Sequence, residues 1–433
     1  MDCQPAQRGA SPCVDNQDTQ FHAFGRLASK ASPARDCLFV PTPVRVALFL
    51  ASLLMAAPPA SAAPHVPSSD SVIVERLPAR ATDPRMRGLL ELRAAWRRDP
   101  ADAGVAVRLA QAYFDQAAAE GDPRYIGHAQ AAIGLWWEQP DPPPNVRVMR
   151  AILLQYGHRF NEAVADLDAA VAQQPGLGEA WAWLAGIHMV RADYVKARRA
   201  CTALAPLAPP LIATGCMAYV DSVTGRAQPA AAALRAALHA DGGAGAAQRQ
   251  WVLTRLAEIE ANRGAIRPAE AAYREALGLD RSDVYLLAAY ADFLLDQNRA
   301  ADVLVLLKDR ARADVLLLRL ALAAKQANEP AQAGWATDLA ARFAAAQARG
   351  DTTHQKEEAR FALAVQGQAE RALALAQANY ALQREVADAR ILLEAALAAR
   401  QPAAAAPVLQ WMAASGVESV TLQALGARIK ALR

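Results

Sequence analysis

The chain has 433 residues, 54% of them hydrophobic but only 6% aromatic, and its 46 Lys+Arg against 43 Asp+Glu leave a net charge of +3. Alanine and leucine supply most of the apolar content while valine, isoleucine and phenylalanine are sparse, a helix-forming profile that excludes a β-sandwich, a barrel or a doubly wound sheet. The even charge balance lacks the basic footprint of a nucleic-acid binder, so no nucleic-acid partner is expected.

Taken in chain order, residues 1–62 read as a leader. An apolar run, Val46 to Ala57, follows Arg45 and precedes Pro58-Pro59-Ala60-Ser61-Ala62, a small-residue site for signal peptidase. Twelve residues rise about 18 Å as a helix, short of a hydrocarbon core of about 30 Å. Cleavage is expected after Ala62, giving a periplasmic or secreted protein. The alternative is an uncleaved N-terminal helix that holds the protein at the inner membrane, the one case in which membrane contact is expected. Removing the leader takes five basic and four acidic residues, leaving +2, and three of the five cysteines (Cys3, Cys13 and Cys37). Residues 63–87, with Pro64, Pro67, Pro78 and Pro84, read as a flexible linker.

Helical patterning begins near Leu89 and hardly stops. Residues 88–143 hold N-terminal helices with a divergent repeat unit. The rest is periodic. Ala163 to Ala197, Pro175 to Pro209, Ala269 to Val303, Tyr273 to Leu307 and Ala372 to Ala406 are all 34 residues apart. Within each unit a helix is followed by a break at Gly, Asn or Gln and then by a second helix. Repeats are assigned to 144–241 and, after the glycine-rich break at Asp241-Gly242-Gly243-Ala244-Gly245, to 242–419; residues 420–433 form a C-terminal capping helix. That break suits a plain loop better than a hinge.

The period, together with Trp181, Leu184, Ala185, Tyr194, Ala197 and Pro209 in the unit from Gly178, resembles a tetratricopeptide repeat array. Units with Ala163, Ala170 and Pro175, with Ala257, Ala269 and Tyr273, and with Tyr290, Ala291 and Leu307 are similar, for about nine units in all. The resemblance implies an all-α fold, a right-handed α-solenoid of stacked helix–turn–helix units. Small residues let the helices approach closely, and stacking, not any single pair, builds the core.

In the family, positions on the first helices line the inner concave face. Carried over residue by residue, they are Asn145, Gln155, Tyr156, Glu179, Met189, Val190, Tyr219 and Ser222, then Trp251, Glu258, Asn262, Tyr285, Asp292 and Asp296. The last six mix aromatics with acids and are the candidate binding groove, suited to an extended or helical protein segment with basic and apolar side chains. The Lys/Arg set with which some family members clamp a C-terminal carboxylate is not found at these positions.

Cys201 and Cys216 fall on adjacent helices of neighbouring units, so a disulfide stapling two repeats is one expectation and a pair of buried thiols the other. The chain carries no G-x-x-x-x-G-K-[ST], H-E-x-x-H or G-x-S-x-G, and its seven histidines are scattered, His188 on an aromatic packing position. No cofactor, metal or catalytic residue is assigned. The leading expectation is a non-catalytic, exported scaffold with a protein or peptide partner. An enzyme using the repeats as a platform would need a separate domain, and no long aperiodic stretch follows the leader.

Overall fold

A computed structural model describes Ser69 and residues 84–279, 283–351 and 353–432. The expected leader, its apolar run, the cleavage site at Ala62 and most of the 63–87 linker lie outside the described residues. Helix α1 (Pro84–Arg98) starts inside the last residues of that linker.

Nine helix–turn–helix pairs follow among the described residues. They are α2 (Ala103–Glu120) with α3 (Arg124–Ala132); then, after the one-turn α4 (Gly134–Trp137), α5 (Pro144–Tyr156) with α6 (Phe160–Gln173). Next come α7 (Gly178–Val190) with α8 (Tyr194–Leu204), α9 (Pro210–Ser222) with α10 (Ala227–Ala240), and α11 (Ala246–Asn262) with α12 (Ile266–Leu277). The series continues with α13 (Val284–Asp296) and α14 (Ala300–Leu306), α15 (Asp314–Ala327) and α16 (Gln332–Ala348), and α17 (Gln355–Ala364) and α18 (Ala369–Leu382). The last pair is α19 (Val386–Ala398) with α20 (Ala406–Ser415), and α21 (Val420–Ala431) closes the chain.

Local chemistry sets the helix starts. Asp102, Asp193, Asp283 and Ser419 each accept a first-turn backbone N–H, and Pro144 and Pro210 stand where a missing N–H costs nothing. The small residues of the repeat are the buried ones: Ala163, Ala170, Ala197, Ala257, Ala269, Ala276 and Ala291 have no exposed surface. Larger side chains such as Trp183 and Phe114 fill the space this close approach leaves, meeting edge to face at 6.2 Å. His188 is buried among them, and burial holds its imidazole below the ordinary value. Cys201 and Cys216 are joined in a disulfide between α8 and α9, their Cα atoms 5.6 Å apart.

One hydrophobic core runs from Leu89 to Ala323. It passes through the Asp241–Gly245 loop without interruption, and a Cβ added at Gly242, Gly243 or Gly245 would meet nothing. The division comes later: residues 359–429 have a second core of their own, and a small third one joins α15, α16 and α17.

Long-range contacts show how far the solenoid winds. Arg312 reaches Asp122 across 190 residues, and the Ala227 N–H donates to Glu418 across 191. Gly225 and Gly416, both at positive φ, face each other one such interval apart; a Cβ at Gly225 would stand 3.4 Å from the Gly416 carbonyl oxygen. Side chains bridge the axis at half that interval, as Arg390 and Asp296 do across 94 residues. One superhelical turn therefore takes about 190 residues, between five and six units of about 34. The C-terminal repeats lie on the first turn. Among the described residues, no helix is long and apolar enough to cross a membrane.

Candidate functional site

Helices α9, α11, α13 and α15 present successive faces to the superhelix axis. From the opposite side come α17, the turn before α19, α19 itself and the start of α21. Between them lies a cavity of about 390 Å³ whose wall carries six basic and seven acidic side chains, several tyrosines and Trp411.

Its centre is a stack. The Arg255 guanidinium lies between the rings of Tyr219 and Tyr285, 5.0 and 4.8 Å from their centroids, and pairs with Glu258 at 3.0 Å. The Tyr285 hydroxyl donates to Glu258, and the Tyr219 hydroxyl donates to Glu385 from the C-terminal repeats at 2.7 Å. Burial raises both tyrosines well above their ordinary value. Burial also pushes the Glu258 carboxyl up, with Arg255 pulling the other way. A cation between two aromatic faces in a desolvated setting is a strong, directional contact.

Two turns further along α13, charge crosses the axis. Asp292 accepts from Arg319 at 2.7 and 3.1 Å and from Arg360 of α17 at 2.6 Å. Burial alone would raise the Asp292 carboxyl, but the two guanidinium groups hold it well below the usual carboxylate range. Arg319 also reaches Glu357 at 3.5 Å. Asp296 takes both terminal nitrogens of Arg390 from α19, at 2.6 and 2.7 Å. Backbone and edge contacts complete the seam: the Arg384 N–H donates to the Val190 carbonyl at 2.7 Å, and the Trp411 indole donates to the Tyr194 hydroxyl at 2.8 Å.

Of the six groove candidates, the structure brings Glu258, Asn262, Tyr285, Asp292 and Asp296 onto this one wall. Trp251 stands apart from it. Its ring is 7% exposed and wedges between α11 and α9, where a Cβ on Gly215 would come within 2.4 Å of it. The inner face of the earlier units is also covered: Gln155, Tyr156, Met189 and Val190 are buried, although Ser222 and Met189 reach the cavity wall. The Ser222 hydroxyl donates to the Tyr219 carbonyl of its own helix.

Sequence reasoning missed the other half of the wall, namely Arg255, Arg319, Lys356, Arg360, Glu385 and Arg390. Arg255 carried a signal, since it precedes Glu258 by three residues on one helix face. Arg360 and Arg390 belong to units whose repeat pattern is too loose to fix inward positions, and nothing local announces that those units cross the axis. As built, the site holds charges in matched pairs around an aromatic stack.

No family model matches the chain, and no curated protein matches it. Among solved structures it is similar to PilW, a type IV pilus biogenesis factor, at 18% identity over 46% of this chain and 93% of that one, with a TM-score of 0.38. It is similar to human IFIT1 in its dimer with PPP-AAAA, at 12% identity over 80% and 86%, with a TM-score of 0.45. The TPR domain of P58(IPK) aligns at 14% identity over 74% and 95%, with a TM-score of 0.19. The chain's own stacking of helix pairs, each closed by small buried residues, makes it a tetratricopeptide-like α-solenoid.

Proposed function

We propose that this chain is a non-catalytic interaction scaffold of the bacterial cell envelope, exported with its leader removed after Ala62, whose concave face takes a protein segment bearing basic and apolar side chains. One observation carries the reading. The acids of that face, Asp292 and Asp296, are engaged by arginines of the protein's own C-terminal repeats, Arg360 and Arg390. The face thus takes guanidinium groups against an aromatic background, and a partner would present the same chemistry. With seven acids against six basic side chains the wall lacks the positive excess that phosphate-backbone binding needs, which supports a protein rather than a nucleic-acid partner.

The test is cross-linking in the intact envelope, with partners identified by mass spectrometry and the mature N-terminus read from the same spectra. A chain beginning at Ala63 is expected. Asp296→Asn and Asn262→Ala should reduce capture of a reproducible partner, and Arg390→Ala, which releases Asp296, should increase it. Capture indifferent to all three variants overturns the groove.

A second reading keeps the apolar run at 46–57 and anchors the protein at the inner membrane. It is favoured by the charge of α1, which carries Arg87, Arg93, Arg97 and Arg98. A mature N-terminus upstream of Val46 supports it.

A further inference from the structure

The arginines of this protein are mostly answered by acids. Arg147 and Arg150 share Asp166, Arg198 and Arg226 share Asp221, and Arg319 and Arg360 share Asp292. Helix α1 breaks that habit. Its inner face is apolar: Leu89 is buried, Leu92 and Trp96 pack on the core, and the Trp96 indole donates to the Ala132 carbonyl at 2.9 Å. Its outer face carries Arg87, Arg93, Arg97 and Arg98. Among the described residues none of these four has a hydrogen-bond or ion-pair partner, although Arg93 and Arg97 lie close enough to Tyr113 to act on its hydroxyl electrostatically.

Helical spacing puts the four within an arc of about 140° and a length of about 16 Å. Leu90, 50% exposed, stands in the middle of the arc, and Glu91 is the acid at its edge. The nearby acids of the following turn are occupied, with Asp99 accepting from the Ala101 N–H and Asp102 from the Val105 N–H.

We infer that the outer face of α1 docks on an anionic phospholipid surface. Four cations spread over a convex helix face, with one leucine between them and no pocket, match a plane of phosphate groups better than a folded protein, which would need a buried anchor. In the anchored reading, where the leader is kept, the chain outside the structure points the same way, because the apolar run 46–57 then lies 26 residues upstream of α1.

Four arginines less Glu91 leave three net charges. At about fivefold per charge near a lipid surface, binding to anionic vesicles exceeds binding to neutral ones by about a hundredfold at low salt. The experiment floats the full chain with phosphatidylcholine vesicles, with or without phosphatidylglycerol, alongside two variants. Replacing the four arginines with glutamine should abolish the preference for anionic vesicles and leave the thermal melt unchanged; replacing them with lysine should keep it. Because all forms carry the same upstream apolar run, its contribution cancels. Equal binding of the parent to both vesicles, or of the glutamine variant and the parent, overturns the inference. So does tighter, equally glutamine-sensitive binding to duplex DNA or an acidic protein, which would assign the face to a different polyanion. Arg390→Ala is expected to leave vesicle binding untouched, which separates this result from the fate of the groove.

Discussion

Replacing Gly215 with alanine tests the stacking that builds the cavity. The added Cβ would stand 2.4 Å from Cζ3 and 3.1 Å from Cη2 of Trp251, and 3.3 Å from a methyl of Val252. Carbon atoms settle near 3.5–4.0 Å, so the indole must retreat by roughly 1 Å. Overpacking of this kind costs about 1–3 kcal/mol, and the better helix propensity of alanine returns about 1 kcal/mol. The net expectation is a loss of about 1 kcal/mol, with Trp251→Phe in the same chain restoring at least half of it by double-mutant cycle. Urea unfolding followed by far-UV circular dichroism reads this as a lowered midpoint at unchanged slope. The effect should reach the site as well. Tyr219 and Arg255 sit one turn beyond Gly215 and Trp251 on the same two helices, so prying α9 from α11 lengthens the 5.0 Å contact between them. A Gly215→Ala chain with a raised midpoint, or a cycle with no coupling to Trp251, would refute the packing account.

Three further outcomes follow from named contacts. Reducing the Cys201–Cys216 disulfide, whose residues are 15 apart, should destabilise the chain by about 3 kcal/mol on loop-entropy grounds, read as a lower melting temperature in reductant. Asp292→Asn leaves Arg319 buried with only Glu357 opposite and should cost about 2–3 kcal/mol, less in an Asp292→Asn/Arg319→Met chain; equal losses would sink the pairing argument. His158, whose ring meets Gln383 of the C-terminal repeats, is pushed down to about 4 by burial, with Lys356 and His354 adding to the shift and Asp388 and Asp351 opposing it. An imidazole lowered in the folded state binds its proton less well there than in the unfolded chain. Stability is therefore full above about pH 6.5 and falls as the pH drops towards 4, a loss that His158→Gln should largely remove.

The repeat was legible because its physics is local. Ala163, Ala197 and Ala269 are small so that helices can touch, and the 34-residue interval between such positions survives in the sequence. Glu258, Tyr285, Asp292 and Asp296 were legible for the same reason, since one helix face repeats from unit to unit. Trp251 shared that spacing yet packs inward. Which neighbour a large side chain meets depends on a cleft made by Gly215, 36 residues away, and spacing on one helix does not record it. Arg360 and Arg390 were beyond reach. Their role arises from small rotations summed over several units, which no window of the sequence contains.

The clasp between successive turns has a mechanical meaning. An open array of repeats behaves as a spring, each unit yielding to its neighbours alone. Here Arg312 to Asp122, Glu418 to Ala227 and Gln383 to His158 tie coils that are about 190 residues or more apart, so the spring cannot lengthen or untwist without parting them all. The ties are mixed: Arg312 and Asp122 form an ion pair inside the first core, beside the close approach of Gly121 to Ala313, whereas Glu418–Ala227 and Gln383–His158 join the second core to the first by single hydrogen bonds, each weak alone. Stiffness in this molecule is thus set by a few contacts between coils, and parting them should lengthen the coil along its axis while every helix pair stays folded.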